Sequence, residues 1–222
     1  MSQPTYSNAP MKTRDRILAT SLMLFNEEGE QNVTTVDIAN EMEISPGNLY
    51  YHFHGKECII DQLYSQYEQE MTSLLEQSLD RLESLEDHWL FIYVIFEEIF
   101  KFRFFYLNAS DIMLRYPEIE RSFRKLIAVK IGTIGQLCHK LTGRVNLDSR
   151  NMDIRLLAEN IVLNMIYWFP YQKLLHPEMD CSQQIHKGVY HILNLVLPYT
   201  GNRQNEFLKT IQILYQESLL KK

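Results

Sequence analysis

Residues 45–53 carry the side chains of this chain that are best suited to contact a polar partner. They are Ser-Pro-Gly-Asn-Leu-Tyr-Tyr-His-Phe. Leu49 and Phe53 are four residues apart, so on a helix both would pack inward and leave the other side chains facing outward. Small residues at a helix start allow close approach to a groove, asparagine can bind an adenine edge, and hydroxyl groups can reach phosphates. This pattern predicts a surface that contacts DNA.

Two predicted helix starts position this segment. Thr34 is followed three residues later by Asp37, which indicates a capping box. Ser45 and Pro46 indicate a second start, because serine caps a helix and proline at the first helical position loses no hydrogen bond. An amphipathic helix that ends at Gly29 precedes both of them. Two short capped helices after an amphipathic helix are typical of a helix-turn-helix.

The rest of the chain is also predicted to be helical. A long amphipathic helix begins at Lys56, and Trp89–Leu107 is apolar on almost every face, which predicts a buried helix. Further helices are predicted at about 118–141, 154–171, 181–197 and 204–219. No convincing strand is found, and the glycine-rich phosphate-binding motifs of α/β folds are absent. We therefore expect an all-α protein.

Composition and targeting signals narrow the class of protein further. Apolar residues make up 45% and charged residues 23% of the 222 residues, which indicates a globular chain. The three cysteines are widely spaced and odd in number, which suits reduced thiols. The longest uncharged apolar run, Trp89–Phe96, is too short to span a bilayer, and Met1–Pro10 lacks an apolar signal region. We expect a cytoplasmic protein with no membrane partner and a disordered tail over residues 1–10.

Residues 13–60 resemble the DNA-binding segment of the TetR family of bacterial transcriptional regulators. The matching elements are Leu24-Phe25, the string Thr-Thr-Val-Asp-Ile-Ala at 34–39, the string Ile-Ser-Pro-Gly-Asn-Leu-Tyr-Tyr-His-Phe at 44–53, and Lys56-Glu57. The resemblance implies a DNA-binding head over residues 1–56 and a helical body for ligand binding and dimerisation over residues 57–222. It also implies a homodimeric regulator, expected to be a repressor, that binds a palindromic operator and is released by a small-molecule effector.

The predicted DNA contacts fall into two groups, because phosphate contacts position a protein and base contacts specify the sequence. Residues expected to hold phosphates are Thr34, Thr35, Ser45, Tyr50, Tyr51 and Lys56. Residues expected nearest the base edges are Pro46, Gly47, Asn48 and His52.

Two features depart from this pattern. Glu43 stands in the turn where the family usually has glycine, and a non-glycine residue with positive φ would cost roughly 1 kcal/mol. Residues 12–57 contain four basic and eight acidic side chains, a net charge of −4 within a chain of net charge −6. Residues 44–56 contain no acid, however, and the predicted helix starts at Thr35 and Pro46 attract phosphates. We expect modest, salt-sensitive affinity for DNA.

The body is expected to bind the effector through aromatic residues and a few polar groups on apolar helices. The predicted ligand-binding residues are Phe96, Phe100, Arg103, Phe104, Asn164 and Trp168. An apolar or amphipathic ligand with one polar end would suit them. Its charge stays open, because both Arg103 and the pair Glu97 and Glu98 are available to it. The alternative is that these polar groups pair with one another or face a partner subunit.

Dimerisation is assigned to the helices at about 154–171 and 181–197. Both are late in the chain and strongly apolar, and in their order they resemble the family's dimerising pair. Two such helices from each chain would form a four-helix bundle. Replacement of Leu193 or Leu195 with aspartate is expected to disrupt it.

The sequence is also compatible with two other classes of protein. The body could belong to a helical enzyme or carrier for an apolar ligand, or to an interaction protein without a cavity. No catalytic motif appears, so no enzymatic activity is expected. His52, His54 and Cys58 fit no standard zinc spacing, so we predict neither a metal nor a cofactor.

Overall fold

The computed structural model describes residues 12–77, 79–143 and 154–220. Every regular element among these residues is helical, which confirms the all-α prediction. The helices are α1 (Thr13–Glu28), α2 (Thr35–Glu41), α3 (Pro46–His52), α4 (Lys56–Leu75), α5 (Leu85–Lys101), α6 (Phe104–Leu107), α7 (Ala109–Arg115), α8 (Pro117–Thr142), α9 (Ile154–Leu175), α10 (Cys181–Val196) and α11 (Gln204–Leu220). The predicted tail, residues 1–10, lies outside the described residues.

The chain divides into two compact units, Met1–Gln66 and Tyr67–Lys222, here called the N-terminal and the C-terminal unit. The division falls within α4, so this helix supplies its first turns to one unit and its later turns to the other. The boundary predicted from the sequence, between residues 56 and 57, lies at the first turn of α4.

Local capping signals define the helices of the N-terminal unit. Gly29, with φ of 87°, follows the last residue of α1. Thr34 and Asp37 form the predicted capping box at the start of α2. Ser45 caps α3 through a hydrogen bond from the Asn48 backbone N–H. Both predicted helix starts are therefore confirmed.

A partly buried ion pair joins the segment after α1 to the start of α4. The Lys56 ammonium group lies 2.9 Å from a carboxylate oxygen of Glu30, whose side chain is fully buried. The same ammonium donates hydrogen bonds to the backbone carbonyls of Glu30 and Val33, at 2.9 and 3.0 Å. These contacts hold together three segments that are distant in sequence.

The predicted apolar helix Trp89–Leu107 is correct only up to Lys101. There α5 ends, and the chain turns through Phe102 and Arg103 into the short helix α6. The side chains of Phe102, Phe104, Phe105 and Tyr106 are all almost fully buried. Neighbouring residues of one straight helix point to different sides, so a helix running on to Leu107 could not bury them all against the same core.

The later helices of the C-terminal unit have the predicted order, with small shifts in their ends. Gly143, in the left-handed conformation, ends α8, and α9 continues past Pro170 to Leu175. α10 packs against α5, and a Cβ atom at Gly188 would lie only 2.9 Å from the rings of Phe96 and Trp168. This close approach requires glycine at position 188.

The turn between α2 and α3 has the geometry of a Schellman motif. The Glu43 N–H donates to the Asn40 carbonyl and the Ile44 N–H donates to the Ala39 carbonyl, both at 3.0 Å. Glu43 has φ of 56°, the one positive value at a non-glycine residue within the described ranges. The turn therefore needs the conformation in which the family's usual glycine is unstrained.

We expect Glu43→Gly to raise the free energy of unfolding by up to about 1 kcal/mol, because glycine removes the strain of the left-handed conformation. Glu41→Gly is the matched control. It removes the same charge from the last residue of α2 and should lower the free energy of unfolding by about 1 kcal/mol. Urea unfolding of the full chain, followed by circular dichroism, measures both changes. Equal destabilisation by the two substitutions would contradict this account of the turn.

Candidate nucleic-acid interface and ligand clefts

The helix α3 presents a polar and aromatic face to solvent. Leu49 and Phe53 are buried, as their spacing predicts. The side chains of Tyr50 and Tyr51 are 60% and 78% exposed, which is unusual for large aromatic residues. The Tyr50 ring contacts the His54 ring, and the Tyr51 ring contacts the His52 ring, with centroids 5.1 and 5.2 Å apart. The exposed rings are therefore ordered by neighbouring histidines.

Neither Gly47 nor the Asn48 side chain is needed for packing within the N-terminal unit. A Cβ atom at Gly47 would meet only the Ser45 hydroxyl oxygen, at 3.9 Å, so neither packing nor backbone strain requires glycine there. The exposed Asn48 amide makes no side-chain hydrogen bond to any described residue. Pro46 occupies the first position of α3 beside them. Both positions suit contact with a molecule outside the unit.

The two capping hydroxyls differ in what they can offer a phosphate. The Thr34 hydroxyl donates to the Asp37 carboxylate at 2.6 Å and accepts the Asp37 N–H at 3.2 Å, so its proton is already used. The hydrogen bonds that the Asp37 carboxylate accepts, first from the Thr34 hydroxyl and then from the Thr34 backbone N–H, lower the pKa of Asp37 below its ordinary value. The exposed Ser45 hydroxyl accepts the Asn48 N–H and keeps its own proton for a partner. Thr35, half-buried, begins α2, where the first backbone N–H groups have no acceptor within the helix.

Two cations of the N-terminal unit are engaged in internal contacts. All three donors of Lys56 are directed at Glu30 and Val33. The Arg14 guanidinium group lies over the Phe53 ring at 4.7 Å and donates to Gln62 at 2.8 Å. The geometry therefore gives Lys56 a structural role and argues against the predicted phosphate contact.

The predicted ligand-binding residues have different surroundings in the C-terminal unit. Phe96 and Phe104 are buried in the aromatic core of the C-terminal unit, and the Phe100 ring packs on Phe169 at 5.2 Å. The Arg103 guanidinium group lies 4.4 Å from the Phe100 ring centroid. Arg103 therefore packs against the last turn of α5.

Asn164 and Trp168 do come together, at a surface cleft of about 300 Å³. The Trp168 indole N–H donates to the Gln184 carbonyl at 2.9 Å, and the Asn164 amide donates to the Asn160 carbonyl at 2.8 Å. His191 lies beside them, and its pKa is lowered by burial and by the nearby Lys187. This cleft offers aromatic surfaces and an amide oxygen.

A larger cleft of about 520 Å³ lies between α7, α8 and α9. It is lined mainly by apolar side chains, including Phe123, Ile127, Ile131, Val162 and Ile166. Sequence reasoning missed this cleft. The available signal was the width of the apolar face of α8, where Ile127 and Ile131 are only half-buried.

A fully buried lysine is the second feature that sequence reasoning missed. The Lys130 ammonium group donates to the hydroxyl oxygens of Tyr67 and Tyr106, at 2.9 and 2.7 Å. Burial lowers the pKa of Lys130 to about 7. Lys130 interrupts the apolar positions of α8 between Leu126 and Ile134, and this interruption was visible in the sequence.

Residues 12–77, 79–143 and 154–220 contain no group of three histidine, cysteine or acidic side chains arranged to hold a metal ion. No helix within these ranges is long and apolar enough to cross a bilayer.

Two family models together match most of the chain. The model described as "Bacterial regulatory proteins, tetR family" matches residues 17–63. The model described as "Bacterial transcriptional repressor" matches residues 66–207, which is more than half of the chain. The first match contains the helix-turn-helix and the second contains most of the C-terminal unit.

Solved structures of TetR-family proteins are similar to this chain. A TetR-family transcriptional regulator from Marinobacter aquaeolei VT8 is 31% identical, with a TM-score of 0.80 over 94% of this chain and 99% of that chain. CprB of S. coelicolor A3(2) is 16% identical, with a TM-score of 0.64 over 93% of this chain and 100% of that chain, and shows the fold alone.

The curated relatives match over shorter segments. IcaR of Staphylococcus aureus, a negative transcriptional regulator of the biofilm operon icaADBC, is 39% identical over 49 residues, which are 22% of this chain and 26% of IcaR. The regulator YttP of Bacillus subtilis is 22% identical over 87 residues, which are 39% of this chain and 42% of YttP. The chain therefore spans less than half the length of these relatives. The match over residues 66–207 and the 31% identical structure lead to one conclusion: the chain belongs to the TetR family of bacterial transcriptional regulators, a family of regulators and not of enzymes.

Proposed function

We propose that this regulator is a homodimeric repressor that binds an operator of two-fold symmetry and releases it when a small amphipathic molecule binds. The outward face of α3 is the observation that carries the DNA-binding part. It combines a glycine without an internal role, an amide without an internal partner and two exposed tyrosines. Repression is supported by IcaR, which is a negative regulator and matches this chain at 39% identity over 49 residues.

The contacts divide between positioning and specificity. In this proposal Ser45, Tyr50 and Tyr51 donate hydroxyl hydrogen bonds to phosphates, and the start of α2 at Thr35 adds backbone N–H groups. Gly47 and Asn48 approach the base edges, together with Pro46 and His52. Thr34 and Lys56 instead stabilise the fold of the N-terminal unit.

We propose that the dimer forms through the outer faces of α8 and α9. Six large side chains along α9 are at least half exposed: Leu156, Leu163, Tyr167, Tyr171, Leu174 and Leu175. Gly132 and Gly135 of α8 border a neighbouring groove of about 640 Å³, and a Cβ at either would meet no close neighbour. Small residues of this kind allow a helix of another chain to approach closely. An apolar surface of this extent is typical of an interface.

This assignment replaces α10 with α8 as the partner of α9. Leu193 of α10 is fully buried within its own chain. Its replacement with aspartate would therefore test folding and not association.

In this mechanism α4 transmits the signal, because it supplies residues to both units. A ligand that displaces the later turns of α4 changes the separation of the two recognition helices in the dimer. The coupling is reciprocal: a tenfold loss of operator affinity on ligand binding equals a tenfold loss of ligand affinity on operator binding, about 1.4 kcal/mol.

Selection of DNA from a random pool by the full chain tests the proposed function. We expect an inverted repeat whose half-sites are centred about one helical turn, or a multiple of it, apart. Asn48→Ala should relax the sequence preference at one position of each half-site, because an amide that contacts a base is lost. Lys56→Met should lower the free energy of unfolding, because the buried Glu30 carboxylate loses its Lys56 partner, and the chain that remains folded should select the same sequence. Selection of single half-sites, or of no common sequence, would contradict the proposal.

Gly47→Ala separates folding from DNA contact. We expect the free energy of unfolding to rise by roughly 0.5 kcal/mol, because alanine favours the helix and has space within the unit. Operator affinity should fall at least tenfold, because the added methyl group meets the DNA. Thermal unfolding and fluorescence anisotropy with labelled operator measure the two effects. Unchanged operator affinity would remove Gly47 from the interface.

Leu163→Asp tests the dimer face. Leu163 is 54% exposed, and Leu90 on α5 is a matched control at 59% exposure. We expect Leu163→Asp to yield monomers, because a carboxylate would be buried without a partner at the interface. Leu90→Asp should leave the dimer intact. Light scattering at micromolar concentration reports the mass, and a monomeric wild-type chain would overturn the assembly.

A further inference from the structure

Lys130 is buried without a counter-ion, in contrast to Lys56. The ammonium group of Lys130 has the hydroxyl oxygens of Tyr67 and Tyr106 as its hydrogen-bond partners. No carboxylate oxygen of the described residues lies within 4.0 Å of it. Burial of an ammonium group without a carboxylate in direct contact is expensive.

The groups around Lys130 come from three helices besides its own. Tyr67 and Glu70 lie on α4, Glu98 and Lys101 lie on α5, and Tyr106 lies on α6. Glu98 is the acid that favours the charged form of Lys130, but its carboxylate lies 3.9 Å from Lys101, and Lys101 is also paired with Glu70. Glu70 and Glu98 therefore both form ion pairs with Lys101.

The buried cluster adjoins the cleft between α7, α8 and α9. Phe123 lines that cleft, and its ring packs edge-to-face on the Tyr106 ring with centroids 5.7 Å apart. Ile127 lines the same cleft one helical turn before Lys130 on α8. The contact between the Phe123 and Tyr106 rings thus separates an apolar cleft of about 520 Å³ from the buried ammonium group. The cleft has the size and the lining of a small-molecule site.

We propose that this cleft and the Lys130 cluster form one effector site for an amphipathic monocarboxylate. The apolar part of the molecule lies along Phe123, Ile127 and Val162, and its carboxylate binds the Lys130 ammonium and the two tyrosine hydroxyls. One positive charge matches one negative charge, and three donor groups suit two carboxylate oxygens. A dianionic phosphate would leave one negative charge buried without a partner. The inference rests on the proposed function and names the chemical class of its effector.

The site also supplies a route to the DNA-binding unit. The hydroxyl groups of Tyr67 and Tyr106 contact each other directly, and an incoming carboxylate replaces this contact. Tyr67 lies on α4, which is held on α8 by the Tyr67–Lys130 hydrogen bond, by Glu68 with Ser122, and by Thr133 with the Leu75 carbonyl. Movement of Tyr67 therefore moves the helix whose first turns belong to the N-terminal unit.

Calorimetry of the full chain with three probes of equal chain length tests the proposal: decanoate, decan-1-ol and decyl phosphate. We expect decanoate to bind about tenfold more tightly than either of the others, a difference of about 1.4 kcal/mol, because only its single charge is matched by the ammonium group. Lys130→Met should remove this preference and leave decan-1-ol binding intact. Lys125→Met, at an exposed lysine of the same helix, should behave as wild type. Equal affinities of wild type for decanoate and decan-1-ol would overturn the proposal.

Proton uptake provides a second readout. The pKa of free Lys130 is about 7, so the amine is mostly neutral at pH 8. A bound carboxylate stabilises the ammonium form, so decanoate binding at pH 8 should take up protons from the buffer, and Lys130→Met should not. Repeating the titration in buffers of different ionisation enthalpy measures this uptake, and its absence from wild type would overturn the charge pairing.

A second variant keeps the proposal testable. If Lys130→Met does not fold, Tyr106→Phe removes one hydroxyl from the site and should reduce the decanoate preference; an unchanged preference would overturn the proposal. These titrations contain no DNA, so their failure leaves operator selection unaffected. Loss of operator binding by a chain that still prefers decanoate would count against the proposed function alone.

Discussion

The Lys56 ammonium group bonded to Glu30 and Val33 is the interaction on which the DNA-binding surface depends. α3 has seven residues, a length that cannot sustain a helix alone in water. Its orientation comes from the turn after α2 and from the burial of Leu49 and Phe53. Lys56 holds the start of α4 against the segment between α1 and α2. This contact stabilises the packing in which Leu49 and Phe53 are buried.

The sequence predicted the elements that local chemistry defines. Thr34 with Asp37, Ser45 with Pro46, and the glycines at 29 and 143 mark helix ends through hydrogen bonds and backbone angles of nearby residues. The end of α5 at Lys101 could not be predicted, because it depends on how much of the aromatic run the core can bury. The partner of Lys56 was equally hidden, since Glu30 lies 26 residues away.

Lys56 and Lys130 illustrate the limits of prediction from residue type. Lys56, which was predicted to contact phosphate, bonds to Glu30 and Val33, whereas Lys130, for which no role was predicted, lies at the centre of a polar cluster. Both ammonium groups belong to helices whose sequences are amphipathic, and only packing decides which side of the helix they face. Among the predicted ligand residues the same rule applies: aromatic side chains of a core and of a cleft have identical sequence patterns, so Phe96 and Phe104 could not be told apart from Phe123.

The internal use of Arg14 and Lys56 has a consequence for how the protein searches a chromosome. Affinity for DNA of any sequence depends on the number of cations that displace counterions from phosphates. Lys56 is paired with Glu30, and the exposed Arg14 side chain is held by Phe53 and Gln62, so we expect this general affinity to be low. Fewer molecules are then held at the many competing sites of a genome, so a small number of copies keeps a useful free concentration for the few sites that fit α3.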